Sequence, residues 1–194
     1  MFQTRHKRRL LWLAALAIAV CLSLTASVAM ARGGMGGGGS GCGGGCGGGG
    51  GQPTTPLSEY EIQALNTAID EEYFAKAVYE KVMATFGPIS PFDWITKDEQ
   101  MHINWVAKLL VKYGHPVPAD RWSGKIDLEF ISKQQACQIG AQAEFGNAAI
   151  YDKMVSRITH GDIISTFGKL RDVSRYRHLP AFQEWAAIYG AAGE

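Results

Sequence analysis

The chain has 194 residues, and 15 of its 24 glycines lie between Gly33 and Gly51. From Leu57 onward about 135 residues remain, which is enough for one compact domain and too few for two ordinary ones. This part mixes aromatic, aliphatic and charged residues, which excludes a collagen-like or disordered chain. The formal net charge is +1, and it becomes −3 when the four basic residues of segment 1–31 are removed. Neither value gives the basic field of a nucleic-acid-binding protein, so that class is excluded.

The N-terminal segment has the pattern of a signal peptide. Basic residues up to Arg9 precede an apolar run over 10–24, and Ala29-Met30-Ala31 fits the A-x-A cleavage pattern. We therefore predict a signal peptide over 1–31 and a mature protein of 163 residues that begins at Arg32. The mature protein is then expected to be periplasmic or secreted, without stable membrane insertion. The alternative is an uncleaved membrane anchor, because segment 10–31 is just long enough to span a bilayer.

A glycine-rich segment over 32–56 follows the predicted cleavage point. Its composition predicts a flexible linker that tethers or spaces the folded domain. Cys42 and Cys46 lie in this segment, where a disulfide between them is compatible with an oxidising compartment. A metal site there would need more ligands than the segment supplies. The role of these two cysteines, and of Cys137 in the folded part, is left open by the sequence.

Clear capping signals begin after the linker. Ser58 and Glu61 form a capping box that predicts the start of a first helix, and Gly87 predicts its end. Ser90 and Pro91 predict the start of a second helix, with the serine as N-cap and the proline at the first helical position. Apolar residues recur along both segments at the spacing of one helix face.

Two further helices are predicted in the second half of the domain. Ser132 and Gln135 form a second capping box, which predicts the start of the third helix. A short break over 159–162 separates it from a fourth helix. Pro180 falls inside this last helix and is expected to kink or interrupt it.

The connections between the helices predict a topology. Short loops join helices one and two and helices three and four, which makes each pair antiparallel neighbours. Segment 115–131 is longer, contains two prolines and a glycine, and shows no lasting helical period. A single long crossover in the middle is the arrangement of ferritin-like bundles. We therefore predict an all-α, ferritin-like four-helix bundle over 57–190, with a long crossover between helices 2 and 3 and a tail over 191–194.

Carboxylates and histidines lie on the apolar faces of all four predicted helices. They are Glu72 on the first helix, Glu99 and His102 on the second, Glu144 on the third and His178 on the fourth. Each one alone has an ordinary explanation, such as a hydrogen-bonded core histidine, a solvated pair or a structural salt bridge. Unpaired buried carboxylates are costly, however, and four helices contribute such residues together. Carboxylate oxygens and imidazole nitrogens in a bundle core suit iron or manganese, so we interpret the set as a metal centre.

The same residues carry a resemblance to a known family. Glu72-x-x-Ala75-x-x-x-Tyr79, Glu99-x-x-His102, Glu144 with Tyr151 seven positions later, and His178 resemble the di-metal carboxylate motifs of ferritin-like proteins, rubrerythrin among them. The likeness is closer to a prokaryotic ferritin-like domain family of unknown activity, through the stretches DEQMHINWVAKLL and SRYRHLPAF. It covers roughly residues 57–190. The resemblance implies a ferritin-like fold and a metal centre, and it implies little about activity.

The sequence departs from the ferritin-like pattern at one point. A full site has a second E-x-x-H on the fourth helix, but the residue three before His178 is Arg175, and Ser174 stands four before it. The matched set is therefore one carboxylate short, and it would hold either one metal or two metals with added water. We expect Arg175 to limit the site. Asp172 is the first substitute for the missing carboxylate, although its spacing is poor.

These observations lead to a functional hypothesis and two rivals. The leading hypothesis is an exported ferritin-like protein that binds iron as Fe2+ or Fe3+, with manganese as the alternative, and acts on ferrous iron, O2 or peroxide. Glu72 and Glu144 would bind or bridge the metals, His102 and His178 would be nitrogen ligands, and Glu99 would be a further oxygen ligand. Tyr79 and Tyr151 would orient the ligating carboxylates. The rivals are a non-catalytic metal-binding or interaction module with a degenerate site, and a plain structural bundle. The metal count and any homo-oligomer are left open.

Overall fold

A computed structural model describes residues 55–194, and this part of the chain is all helical, without a β-strand. The predicted all-α class is confirmed. The helices are α1 (Glu59–Phe86), α2 (Phe92–Lys112), α3 (Lys133–Val155), α4 (Gly161–Val173), a π-helical segment (Ser174–His178) and α5 (Leu179–Ala192). The predicted signal peptide, most of the predicted linker, and Cys42 and Cys46 lie outside the described residues.

The elements combine into four long helices, because α4, the π-helical segment and α5 continue one another without a break over 161–192. Helix α1 packs on α2, α3 packs on all parts of the fourth long helix, and α1 also contacts α3. The short connection 87–91 makes α1 and α2 antiparallel. Contacts of Tyr79 with Glu144 and of Tyr151 with Glu72 show that α1 and α3 also run antiparallel. Helices α2 and α3 therefore run in the same direction, and the connection 113–132 covers the distance between their ends.

Local capping chemistry accounts for the ends of α1. The hydroxyl of Ser58 accepts a hydrogen bond from the backbone N–H of Glu61, while the Glu61 carboxylate accepts from the backbone N–H of Ser58. This reciprocal pair is the predicted capping box. Gly87 has a φ of 82° and follows the last helical residue. A positive φ is accessible to glycine at little cost, which is why the helix ends there as predicted.

Two predicted helix starts differ in detail. Helix α2 begins at Phe92, because Pro91 has φ −90° and ψ 3° and takes the N-cap position itself. The hydroxyl of Ser90 donates to the Asp93 carboxylate at 3.3 Å instead of capping a backbone N–H. At α3 only half of the predicted box forms. Ser132 accepts from the backbone N–H of Gln135 at 3.1 Å, but the Gln135 side chain accepts from the N–H of Ile131, one residue earlier.

The chain stays helical through Pro180, and in place of the predicted kink or interruption the backbone changes from α to π over Ser174–His178. Proline has no N–H, so Pro180 cannot donate to the carbonyl of Tyr176 four residues before it. The backbone widens just upstream, where the N–H of Leu179 donates to the carbonyl of Ser174, five residues earlier. A π turn holds one more residue than an α turn, and such turns often mark functional sites.

Two hydrophobic clusters form the core, one toward each end of the helices. The first includes Leu65, Ile69, Leu110 and Phe167, and the second includes Val82, Phe92 and Phe182. Every long helix contributes residues to both clusters, and its predicted metal ligands lie between them. Cys137 belongs to the second cluster and is buried as a free thiol. Within residues 55–194, none of the helices combines the length and hydropathy needed to cross a bilayer.

The long connection 113–132 is held against the first half of α1. Arg121 and Trp122 both donate hydrogen bonds to the carboxylate of Asp70, and the hydroxyl of Tyr73 donates to the backbone carbonyl of Pro118. Asp70 lies two residues before Glu72. The connection therefore covers α1 next to the cluster of buried polar residues.

Candidate metal centre

The five residues predicted as metal ligands come together in the interior, although three of them are carboxylates. Their exposed fractions are between 0% and 1%, and they are Glu72, Glu99, His102, Glu144 and His178. They form two groups of three, each with potential ligand atoms within 4.8 Å of one another, and Glu99 belongs to both groups. Burial of this kind is expected only where a cation compensates the negative charge.

The first group joins α1 and α2. Nδ1 of His102 lies 3.1 Å from Oε2 of Glu72 and 3.0 Å from Oε2 of Glu99. Glu99 and His102 are three residues apart on α2, which puts them on the same face of the helix. Glu72 reaches them from α1, so this group depends on the packing of the first two helices.

The second group joins α2, α3 and the π-helical segment. Nδ1 of His178 lies 3.3 Å from Oε1 of Glu99 and 3.4 Å from Oε1 of Glu144. The rings of His102 and His178 are stacked with their centroids 5.6 Å apart. Glu99 thus turns one carboxylate oxygen toward each histidine. This central position differs from the predicted arrangement, in which Glu72 and Glu144 were the bridging candidates and Glu99 a further ligand.

Two tyrosines hold the outer carboxylates, as the sequence predicted for Tyr79 and Tyr151. The hydroxyl of Tyr79 donates to Oε1 of Glu144 at 2.7 Å, and the hydroxyl of Tyr151 donates to Oε1 of Glu72. Both tyrosines are almost fully buried. Burial, and then the neighbouring carboxylates, raise the pKa of each phenol well above its usual value, so both remain donors.

Several buried polar atoms of the cluster have no hydrogen-bond partner within the described residues. They are Oε1 of Glu99, Nε2 of His102, Oε2 of Glu144 and Nδ1 of His178, together with Oδ1 of Asn147 nearby in sequence. Unpartnered buried polar atoms are uncommon in folded proteins, and a bound ion is one explanation for them. Carboxylate oxygen and imidazole nitrogen are the donors that iron and manganese accept. The residues present therefore fit a transition-metal ion.

The pKa values of the cluster show how strongly it favours positive charge. Burial, followed by the charge of Glu99, raises the pKa of Glu72 to about 7. Burial alone would lower the pKa of His102, but the carboxylates of Glu72 and Glu99 raise it to about 10. Burial likewise opposes the protonation of His178, and Glu144 with Glu99 raises its pKa to about 11. Without metal, both imidazoles are thus protonated at neutral pH and supply the compensating charge.

The expectation that Arg175 limits the centre is wrong. Nη2 of Arg175 lies 2.6 Å from Oδ2 of Asp152, an exposed residue of α3. Asp172 is also on the surface, paired with Arg171 at 2.8 Å, so it does not replace the missing carboxylate. The π-helical backbone explains the error. Because a π turn holds more residues than an α turn, the residue on the same face as His178 is Ser174, four positions before it. Ser174 is buried with 2% exposure.

One residue of the centre was missed by the sequence interpretation. Oδ2 of Asp98 lies 3.2 Å from Nε2 of His178, on the side of the imidazole opposite to Glu99 and Glu144. The same oxygen lies 3.1 Å from Nη1 of Arg177. The available signal was the D-E-x-x-H form of the motif on α2. Asp98 is one residue from Glu99 and so points about 100° away from it around the helix. The helix face that carries Glu99 and His102 therefore gives no indication of the contact between Asp98 and the fourth helix.

Comparison with known proteins agrees with the architecture and adds no activity. No protein-family model and no curated protein matches the chain. The crystal structure of a hypothetical protein from Methanococcus jannaschii is similar, with a TM-score of 0.62 and 27% identity over 73% of this chain and 87% of that one. A conserved hypothetical protein from Mycobacterium tuberculosis has a TM-score of 0.55 and 17% identity over 68% of this chain and 92% of that one. The second likeness concerns the fold alone. The described part of the chain is thus an all-helical protein with two linked carboxylate–histidine groups.

Proposed function

We propose that this chain is a ferritin-like four-helix protein that holds two divalent transition-metal ions, with iron as the first candidate and manganese as the second. The observation that carries the proposal is the position of Glu99, whose two oxygens face two separate histidines. One metal would lie with Glu72, Glu99 and His102, and the other with Glu99, Glu144 and His178. Glu99 would then contribute one ligand to each site.

The helix directions support the ferritin-like part of the proposal. Parallel α2 and α3 joined by the long connection 113–132 are what a bundle with one long crossover requires. Carboxylates and histidines from all four helices are the ligand set that such bundles use for paired metals. The similarity to the Methanococcus jannaschii protein is consistent with a fold shared beyond this chain.

Charge balance indicates what the centre could do. Three ligating carboxylates would oppose the four positive charges of two divalent ions, so one positive charge would be left for hydroxide or a substrate anion to compensate. Bound iron would supply one-electron redox chemistry toward ferrous iron, O2 or peroxide. The chain itself would hold the ions through five side chains, orient two carboxylates through Tyr79 and Tyr151, and exclude bulk water by burial.

A second candidate is a metal-binding protein without turnover, and Ser174 favours it. Ser174 is buried at the position where the complete ferritin-like ligand set would have a fourth carboxylate, so the fourth helix would offer the metals only His178. The two candidates differ in one measurement. A catalytic centre oxidises added Fe(II) under air faster than buffer does, whereas a binding module slows that oxidation or leaves it unchanged.

Metal analysis of matched variants tests the proposal. Purified protein incubated anaerobically with Fe(II) and desalted is expected to retain two ions per chain. Glu144→Ala removes a buried ligand and should retain clearly less metal. Glu80→Ala removes a carboxylate on α1 that is paired with Lys76 at the surface, so it should retain as much as the unmodified protein. Equal metal content in the two variants, or none in the unmodified protein, would contradict the proposal.

A further inference from the structure

The centre has two halves, Glu72–Glu99–His102 and Glu99–Glu144–His178, which present the same type of metal-binding atoms. They differ at Nε2, the imidazole nitrogen that faces away from the carboxylates of the half. Each half uses Nδ1 of a histidine, flanked by two carboxylates. A metal-binding histidine normally donates its other ring N–H to a carboxylate, a carbonyl or water. That partner fixes the tautomer and raises the basicity of the ligand. Within residues 55–194, only one of the two histidines has a protein side chain as this partner.

His178 has the partner. Its Nε2–H donates to Oδ2 of Asp98 at 3.2 Å, so the tautomer that binds metal has its lone pair on Nδ1, the atom that faces Glu99 and Glu144. Asp98 is itself held by Arg177, whose guanidinium lies over the ring of Trp94 at 5.0 Å. The rings of Trp94 and His178 pack in a T-shaped arrangement, with centroids 5.8 Å apart. This side of the centre is therefore oriented before any metal arrives.

His102 lacks the partner. Its Nε2 is buried and makes no hydrogen bond within the described residues, and the ring next to it is that of Trp105, 5.4 Å away between centroids. A neutral His102 with its metal-binding lone pair on Nδ1 would have to carry its proton on this unpartnered nitrogen. No carboxylate of the described residues therefore fixes the tautomer of His102 or raises its basicity, and metal binding in this half lacks the support that Asp98 gives to His178.

The fourth helix explains the difference. On α2, Asp98 and Glu99 lie four and three residues before His102. Asp98 contacts His178, and Glu99 contacts both histidines. At the corresponding positions before His178, with the extra residue of the π turn counted, the chain has Val173 and Ser174. Neither side chain carries a charge, so the fourth helix has no carboxylate at these positions that could accept a hydrogen bond from His102.

We propose that the two halves bind metal unequally, with the Glu99–Glu144–His178 half filled first because Asp98 positions His178. The inference rests on the proposed metal centre. Loss of such an orienting carboxylate typically lowers metal affinity about 10–100-fold. The two dissociation constants are expected to differ by a similar factor, with the Glu72–Glu99–His102 half as the weaker site.

Titration of the metal-free protein with Co(II), followed by its visible absorption and by calorimetry, tests the order of filling. The unmodified protein should bind in two steps separated by about 10–100-fold. His178→Ala should abolish the tight step and His102→Ala the weak one. Asp98→Asn should weaken the tight step by about 10–100-fold, since the amide still accepts a hydrogen bond but carries no charge. Asp152→Asn is the matched control, because Asp152 pairs with Arg175 on the surface, and it should change neither step.

The outcomes separate this inference from the proposed function. No cobalt bound by the unmodified protein would overturn both. Two equal steps, or loss of the tight step in His102→Ala and not in His178→Ala, would overturn only the unequal filling. The protein could also bind a single ion. Loss of that ion in His178→Ala together with weaker binding in Asp98→Asn would support the inference. Loss of the ion in His102→Ala alone would overturn it. An Asp98→Asn protein with a lower melting temperature but an unchanged tight dissociation constant would show that Asp98 is only structural.

Discussion

The hydroxyl of Tyr79 on α1 donates a 2.7 Å hydrogen bond to Oε1 of Glu144 on α3. In the opposite direction, the hydroxyl of Tyr151 on α3 donates to Oε1 of Glu72 on α1. Each helix thus supplies a carboxylate and, seven residues later, the donor that holds the carboxylate of the other helix. Seven residues are about two α-helical turns, so both groups of one helix lie on the same face. This reciprocal arrangement fixes the antiparallel register of α1 and α3 at the level of the centre.

Removing one of these donors should weaken metal binding without unfolding the protein. Tyr79→Phe keeps the ring and deletes only the hydroxyl that orients Glu144. We expect affinity in the His178 half to fall about 10–100-fold, as is typical for groups that orient metal ligands. Tyr113→Phe is the matched control, because it deletes a hydroxyl that donates to Asp162 at 2.8 Å far from the centre. Equal dissociation constants for the two variants, measured by Co(II) titration, would contradict the role of Tyr79.

A carboxylate placed at position 174 should make the thermal stability of the protein more dependent on bound metal. Ser174 is buried and lies on the same face of the π turn as His178. Ser174→Asp adds a fourth negative charge to a buried cluster, so the metal-free protein should melt at a lower temperature. Saturating Mn(II) should raise its melting temperature by more than in the unmodified protein. Ser165→Asp, at an exposed position of α4, should change neither value. An unchanged response to Mn(II) in Ser174→Asp would show that position 174 does not face the metals.

Arg175 should be dispensable for metal binding. Its guanidinium pairs with Asp152 on the surface, and exposed ion pairs contribute little to stability. Arg175→Ala is expected to keep the metal count and both dissociation constants, with at most a small change in melting temperature. Arg177→Ala is the informative comparison, because Arg177 contacts Asp98 and should affect the tight step slightly. A gain or loss of metal in Arg175→Ala would restore the original expectation for this residue.

The metal-free protein should lose stability as pH rises above 7. The pKa of His102 is raised to about 10 and that of His178 to about 11, above the usual 6.5 of histidine. Their contribution to folding stability is therefore complete below about pH 6.5 and is lost as pH rises through these values. Urea unfolding with a chelator present should give a lower free energy of unfolding at pH 9.5 than at pH 7. Metal replaces the protons as the compensating charge, so the loaded protein should show a smaller decrease.

The same pKa values predict proton release when metal binds. Both imidazoles must lose a proton to act as ligands, and Glu72, with a pKa of about 7, loses part of one more. Calorimetry in buffers of different ionisation enthalpy at pH 7.5 should therefore give about two protons released when both sites fill. His102→Gln should release about one fewer. No proton release would mean that the histidines are not the ligands.

Export is tested at the N-terminus of the protein recovered from cells. We expect mass analysis of the exported protein to find Arg32 as the first residue, because segment 1–31 has the charge, hydropathy and A-x-A pattern of a cleaved signal. Changing Ala29 and Ala31 to larger residues should leave the segment attached. Recovery of protein with Met1 retained, in the membrane fraction, would favour the anchor.

Sequence alone was sufficient where the chemistry is local. The capping box of Ser58 and Glu61 and the stop at Gly87 involve neighbouring atoms, and their structure follows from residue type and spacing. The inward position of Glu72, Glu99 and Glu144 also followed from sequence, because a helix period of 3.6 residues assigns each residue to a face.

Tertiary structure decided the parts of the centre that depend on contacts between helices. Asp98 and His178 are 80 positions apart, and no helix period relates them. An α-helical period places Arg175 on the face of His178, but the backbone over Ser174–His178 forms a π turn beside Pro180, which turns Arg175 toward the surface. The central role of Glu99 follows from the simultaneous packing of three other chain segments around α2. A helix period relates residues of one helix, whereas these contacts are set by how separate helices pack together.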